Sequence, residues 1–475
     1  MMDRICDVLV VGAGTAGIPA ALGAAQRGLD VLLVEAAQDV GGTLHLSSAS
    51  ISAAGTSLQA AHGIEDSAEQ HFADALRINH GTGDHALLRR WTQDAAEMVE
   101  WLLSIGWTCT PDTGVFAPEH DLYSQPRTYR STHQGFEVLD AYRAELARVQ
   151  AAHKLDISLG TRMTDLLVEN GRVVGITATQ GGHTQTIRAG AVIMATGGFS
   201  GSARHWQEIH GIVPLRYHVP TVMGDHIDAV RAAGGELWFT DYCLPAFGGT
   251  RDIGSPAAAW IHSVILPSAR PPWEIYVNQN GDRFMAEDEP SIDQRERAAM
   301  AQPDWAFWVI YDEAIRQKAP PLFRWPEGKL EELFAGFDED YVTAPDIATL
   351  AARTGMPEAR LAASIDLYNR AQAVGSDALR RKHMPAPIGT PDGKGPFYAV
   401  RHYGCSISCY PGMRVDTDLR ALRSDDSVIE GLYGCGEAIG IGFLGHGFLS
   451  GSIVSAAITF GRRLGREVMV REVVA

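Results

Sequence analysis

The 475-residue chain has room for about two to three domains with sizeable cores. Its formal net charge of −17, with no basic stripe beyond Arg462-Arg463, argues against nucleic acid as a partner. No apolar run approaches membrane-spanning length, and no basic flank followed by a hydrophobic segment precedes the first strand. The expectation is a cytoplasmic small-molecule enzyme without a membrane span.

The first element is the most informative. The apolar run Val8-Leu9-Val10-Val11 leads into Gly12, Gly14 and Gly17 in G-x-G-x-x-G spacing. A helix-compatible stretch from Thr15 to Gln26 and a stop at Gly28 follow, then Val31-Leu32-Leu33-Val34 ending in Glu35. This is a dinucleotide-binding βαβ fingerprint, whose ordinary alternative is a glycine-rich turn in an unrelated α/β protein. Gly12 permits the tight turn, Gly14 admits a pyrophosphate close to the backbone, and Gly17 lets the helix pack on the sheet. The phosphates then meet a helix N-terminus, and Glu35 stands where a ribose hydroxyl would lie. By itself the fingerprint leaves NAD and FAD equally open.

Farther along come Gly41-Gly42-Thr43 and a Ser/Ala-rich segment, then helical spacing over Ala68–Leu76 and His85–Leu103. A loop rich in proline and aromatics precedes another helix, around Phe136–Val149. Strands are expected at Asp156–Leu159, Met163–Glu169 and Arg172–Thr179, with Asn170-Gly171 as a hairpin turn between the last two. A buried strand at Ala189–Thr196 runs into Gly197-Gly198-Phe199, and Gly224-Asp225 opens a helix. From Trp238 to about Gly395 the pattern shifts to more proline, more tryptophan, short strands and isolated helices. The expected organisation is therefore a first domain of residues 1–237 and 396–475, with residues 238–395 inserted. The chain should re-enter the first domain through Phe397–His402 and Met413–Asp416, a strand at Gly431–Gly434, and a small-residue helix from about Ser450 to Val468.

Gly440, Gly442 and Gly445 repeat the glycine spacing, but they follow Gly436-Glu437 rather than a strand, and no second strand ending in an acid comes after them. With no second nucleotide fingerprint, the bound dinucleotide itself is expected to do the redox chemistry. The six cysteines are scattered; Cys405 and Cys409 form the one close pair, with no zinc-like partner spacing, so buried free thiols and no metal are expected.

Six segments in order, namely Val8 to Gly14, Gly41-Gly42, Ala195 to Phe199, Gly224-Asp225, Gly281-Asp282-Arg283-Phe284 with Glu287, and Gly431 to Glu437, make the chain from Asp7 to Gly465 resemble the fumarate reductase flavoprotein and 3-ketosteroid dehydrogenase superfamily. The resemblance implies FAD and an α/β fold: a Rossmann-like FAD-binding domain with an inserted α+β substrate-capping domain. It assigns FAD contacts to Gly12, Gly14, Ala16, Gly17, Glu35, Ala36, Gly41, Gly42, Thr43, Met163, Ala195, Thr196, Gly197, Asp225, Glu437, Ser452 and Ile453. Glu35 would hold the adenosine ribose, Met163 the adenine through its backbone, and Glu437 the ribityl chain. Ser452 and Ile453 would present backbone N–H groups to the flavin pyrimidine, where a helix N-terminus favours the charge of a reduced flavin; plain helix capping is compatible with this. His45 invites a covalent link, but the register puts Thr43 at the attachment point, so FAD is expected to be non-covalent.

The departures matter equally. Where fumarate reductases carry His-Thr-Met-Gly-Gly, this chain has Ser408-Cys409-Tyr410-Pro411-Gly412; where they carry an arginine before the last helix, it has Gly447-Phe448-Leu449-Ser450. A dicarboxylate needs cationic forks, so the resemblance tilts toward the ketosteroid side and an uncharged hydrophobic carbonyl substrate. Arg295 is the one match to the family's proton-donating arginine, its alternative being a helix-surface residue paired with Glu296 or Glu289. Tyr403 beside His402, Tyr123 and Tyr129 in the aromatic loop, and Tyr242 are candidates to hydrogen-bond a developing enolate or carry its proton. His133 and His446 could line the site, although each of these side chains could equally be structural. The leading expectation is an FAD-dependent oxidoreductase that forms or reduces a C–C double bond next to a carbonyl in a hydrophobic, cyclic substrate by hydride exchange with flavin N5, with an unidentified electron acceptor or donor. A dicarboxylate reductase and a non-catalytic flavin-binding subunit or sensor are the alternatives.

Overall fold

The computed structural model describes residues 4–110, 123–255, 257–261, 263–390 and 394–472. The chain forms two compact units. One comprises Met1–Gly211, His218–Cys243 and Ser408–Ala475, the other Ile212–Tyr217 and Leu244–Ile407.

The first unit is built on a mostly parallel sheet. Strand β1 (Arg4–Val11) lies between β2 (Val31–Val34) and the strand His183–Met194, in register Val8 opposite Val31 and Ala191. Leu155–Ser158 adds outside β2, and Val428–Gly434 adds on the other side, both parallel. Val8, Leu9 and Val10 are fully buried and β2 is buried throughout, which is why these strands read as unbroken apolar runs rather than alternating ones. The hairpin Thr161–Glu169/Arg172–Gln180 turns through Asn170 at φ 52° and Gly171 at φ 76°, the left-handed pair of a two-residue hairpin turn.

Helix α1 (Gly17–Gln26) explains its own small residues. It packs on the C-terminal helix Ser452–Glu467 at near backbone contact. A Cβ at Gly461 would fall 2.1 Å from the Ala16 carbonyl oxygen, and one at Gly465 would fall 2.5 Å from that of Ala20. Only glycine fits those positions, and the close approach sets the start of α1 against the second half of the last helix.

In the second unit the long strand Lys394–Ser406 is central to a seven-stranded sheet. It pairs antiparallel with Ala306–Asp312, Tyr341–Asp346 and Ala246–Arg251, and parallel with Leu215–Arg216. Ala306–Asp312 is buried at every position and anchors an apolar core with Tyr276, Phe307, Leu350 and Phe397. Here the expected boundaries need correction. Phe397–His402 does not return to the first unit, because its backbone is paired on both sides within this sheet; the breaks fall after Cys243 and after Ile407, and residues 212–217 contribute an edge strand.

Among the described residues no cysteine is in a disulfide; Cys6, Cys405, Cys409 and Cys435 are buried, and Cys109 and Cys243 half-buried. Among those residues no group of three metal-ligating side chains occurs, and no helix is long and apolar enough to cross a membrane.

Candidate functional site

The first unit carries a cavity at the C-terminal ends of its parallel strands, the usual ligand position in such sheets. Its wall is assembled from Val11, Gly12, Gly14, Thr15 and Ala16 of the first turn, Val34, Glu35 and Ala36 after β2, and Gly42-Thr43. Thr161 and Met163 come from the hairpin, and Ala195, Thr196 and Gly197 from the end of the His183–Met194 strand. Thr221, Val222, Asp225, Gly436 and Glu437, with Ile453, Val454 and Ala457 of the last helix, close it. Three of the residues expected to contact the cofactor stand behind this wall. A Cβ at Gly17 would lie 1.8 Å from the Gly12 carbonyl oxygen, so Gly17 serves helix–strand packing. Gly41, at φ 122°, donates its N–H to the Ala13 carbonyl and caps the turn that presents Gly42 and Thr43. Ser452 is buried, with N–H and hydroxyl both directed to the Leu449 carbonyl.

The cavity suits a dinucleotide. A side chain at Gly14 would meet nothing nearer than Gly42 Cα at 3.9 Å, so the glycine leaves open exactly the space a ligand's phosphates need to reach the backbone. Glu35 is clamped, Oε2 accepting the Ala13 N–H at 2.7 Å and Oε1 that of Ala37 at 2.8 Å. Asp225 pairs with Arg162 at 2.6 Å, although burial outweighs that partner and raises its pKa. Burial pushes the Glu437 carboxyl up to about 7.

No lysine, arginine or histidine side chain stands among the lining residues, so positive potential must come from the backbone. Both α1 and the C-terminal helix begin without a side-chain cap, whereas Thr56, Ser67, Asp84 and Ser202 cap other helices of the unit with their own oxygens. Two uncapped helix N-termini facing one cavity are a ready anion site.

The catalytic candidates divide between the units. In the second, the Tyr403 hydroxyl donates to Asp340 at 2.7 Å and accepts from Arg251 at 2.9 Å, and burial raises its pKa. His402 is fully buried between Phe307 and Phe323 and bonded to Ser263 and the Val400 carbonyl, with burial lowering its pKa to about 4. Arg295 is not a surface residue: it is 1% exposed, donates to the carbonyls of Glu287 at 2.7 Å and Ile265 at 2.5 Å, and lies 4.4 Å from the Phe247 ring centre.

In the first unit, the Tyr123 hydroxyl donates to the Ser450 carbonyl at 2.9 Å, bracing the loop before the last helix. Tyr242 stacks on His446 with centroids 4.0 Å apart and planes 15° apart, and meets Tyr410 edge-on at 4.7 Å. Tyr129 is buried and bonded to Ala53 and Thr56, and His133 is exposed beside Glu137. The sequence alone did not single out Thr161, Thr221, Val222, Val454 or Ala457. Several of these flank residues that it did name, but only the fold turns them inward.

Residues 7–454 match the model of the FAD binding domain family. The chain is 28% identical to the probable fumarate reductase Ifc3 of Shewanella frigidimarina (strain NCIMB 400), over 97% of this chain and 74% of that protein. Among solved structures it is similar to the open conformation of a flavocytochrome c3 fumarate reductase, with TM-score 0.74, 27% identity, and coverage of 98% of this chain and 78% of that one. It shares its fold with 3-ketosteroid delta1-dehydrogenase from Sterolibacterium denitrificans, with TM-score 0.73, 21% identity, and coverage of 97% and 99%.

Proposed function

Because the chain belongs to the FAD binding domain family and is an FAD-dependent oxidoreductase, we propose that it forms or reduces a C–C double bond next to a carbonyl in a hydrophobic, cyclic substrate. The observation that carries this reading is the stacked Tyr242–His446 pair with Tyr410 at its edge, in a region where no lysine or arginine occurs from Glu437 to Gly461. Aromatic faces favour flat apolar ligands, and a dicarboxylate would have no fixed cation in that segment to meet it.

FAD, when bound, supplies the hydride acceptor or donor at its N5 position. Glu35 would hold the ribose end, the turn from Gly12 to Ala16 would receive the phosphates, and the N-terminus of the C-terminal helix would face the flavin pyrimidine, where its dipole favours negative charge. Tyr242 carries the proton of the α carbon. Backbone N–H groups of the Gly447–Gly451 loop, held in place by Tyr123, donate to the substrate carbonyl as enolate character develops. The cofactor is read as non-covalent because the register puts Thr43, not His45, at the family's attachment point; flavin colour should leave the pellet on acid precipitation.

A second reading, reduction of fumarate, is favoured by the 28% identity to a protein of that name along nearly the whole chain. Anaerobic mixing decides between the two. The dithionite-reduced protein should be reoxidised by a member of a cyclic enone panel, or the oxidised protein bleached by a cyclic ketone, while fumarate leaves the flavin reduced. Rapid reoxidation by fumarate with silence across the panel would reverse the assignment.

A further inference from the structure

Three carboxyl groups, Glu35, Asp225 and Glu437, face a cavity that receives a cofactor bearing two phosphate charges. Glu35 is compensated by two N–H groups, and Asp225 by Arg162. Glu437 is held differently. Its Oε1 accepts the Cys409 N–H at 2.5 Å, and the Cys409 side chain lies beside the same carboxyl. The thiol sulfur accepts the Phe199 N–H at 3.2 Å and lies 3.3 Å from the Ser200 hydroxyl. Gly198 completes the enclosure, since a Cβ there would fall 2.6 Å from Glu437 Oε1 and 2.9 Å from Cys409 Sγ.

The surrounding elements bring no cation to this carboxyl. On the helix Asp225–Ala232, Asp225 is tied to Arg162 of the hairpin, and the neighbouring His226 is bonded to Thr196 Oγ1 at 2.9 Å, with burial lowering its pKa to about 4, so it is neutral. Glu35 after β2 is a like charge. The first turns of α1 and the C-terminal helix carry no titratable side chain, nor does the strand Gly412–Met413; Arg414 beyond it is paired with Glu236 and Asp426.

We propose that Glu437 takes up a proton as FAD binds, with Cys409 as its positioning residue, so that the protein's grip on its cofactor weakens as pH rises above neutrality. The physical ground is twofold. The carboxyl stands at the cavity wall between the Cys409 N–H and Gly198 with no cation beside it, and burial raises its pKa to about 7; a dianionic pyrophosphate entering the same cavity disfavours a further negative charge. The bound pKa therefore lies above the free one. Affinity is full below the free value, falls by up to about tenfold per pH unit as pH rises through it, and levels off beyond the bound value. The proton comes from solvent and forms the O–H of the carboxyl group, and no electrons move. The neutral acid can donate a hydrogen bond to the cofactor, which the carboxylate cannot. This inference rests on the cofactor and is independent of the substrate reading.

The test uses the full chain stripped of flavin. FAD affinity is followed by flavin fluorescence from about pH 6 to 9, and proton uptake by calorimetry in buffers of different ionisation enthalpy. Free FAD has no group that titrates in this range. The unaltered chain should lose affinity above neutrality and take up about one proton per FAD at mildly alkaline pH. Glu437→Gln, uncharged and of the same shape, should bind with flat pH dependence and no uptake. Cys409→Ser, which keeps a donor, should leave the break in the profile in place, and Cys409→Ala should move it to higher pH. A flat profile in the unaltered chain, or a slope retained in Glu437→Gln, overturns the proposal, and an unmoved break in Cys409→Ala removes Cys409 from it. Should Glu437→Gln not fold, the absence of proton uptake in the unaltered chain would be enough to reject it.

Discussion

In the second unit, buried arginines are neutralised by side chains and carbonyls that surround them, whereas in the first unit the cofactor cavity is lined by acids and offered positive potential only by the backbone. Arg283 is locked between Glu287 at 2.7 Å and Asp377 at 2.8 Å, Arg270 is paired with Glu274, and Arg381 reaches Glu287 and the carbonyls of Glu274 and Pro272. Each guanidinium there ties strands and loops together. The cofactor cavity works the other way, with two helix ends and a glycine turn left open for an anion. The contrast teaches where an arginine is informative. These three arginines are structural ties, whereas the turn that opens on the cavity is made of glycines and small residues. A backbone donor is deleted only by proline, but it can be covered by a side chain.

That contrast can be broken most severely at Gly14. Gly14→Val would place methyl groups in the space left open for the phosphates, and FAD affinity should fall by about 3 kcal/mol or more, roughly a hundredfold. Circular dichroism should report an intact fold while the purified protein comes out colourless. A yellow Gly14→Val protein would show that the phosphates lie elsewhere.

Arg295 sharpens the other side of the comparison. If it is a tie, Arg295→Met should lower stability by about 2–4 kcal/mol, because two buried carbonyls lose their donor, and the melting temperature should drop accordingly. Arg295→Lys separates the roles, since it should also melt early. A proton donor would instead give a Lys variant of normal melting temperature and a collapsed kcat.

Tyr403 provides the smallest effect. Tyr403→Phe removes one bond to Asp340 and one from Arg251 but leaves the Arg251–Asp340 pair at 3.1 Å, so the loss should be about 1–2 kcal/mol in denaturant titration, with kcat within a few-fold of normal. A hundredfold fall in kcat would restore Tyr403 to the chemistry.

Much of the wall of the first unit's cavity was legible in the sequence, because its features are local. A glycine turn between two apolar runs, an acid at the end of the second, and a small-residue helix each leave a signature within a few residues. Thr161, Thr221 and Ala457 left none, since nothing in their own neighbourhoods says which way they face until the sheet is assembled. The same limit hid the strand Lys394–Ser406, whose place follows from partners spread between residues 215 and 346, and made Phe397–His402 read as a return to the first unit. Arg295 failed for a related reason. Its flanking acids, Glu296 and Glu289, suggested a solvated helix face, but the helix turns it inward onto two distant carbonyls.

The glycine seam between α1 and the C-terminal helix has a consequence for the order of events during synthesis. The glycine turn before α1 leaves the ribosome long before the helix end that completes the cavity. The early part therefore has to wait, and a nascent chain with its strands already paired still has only half a binding site. FAD can favour the native state only once Gly461 and Gly465 have closed on Ala16 and Ala20, so cofactor supply should govern the yield of finished protein rather than the speed of its early folding.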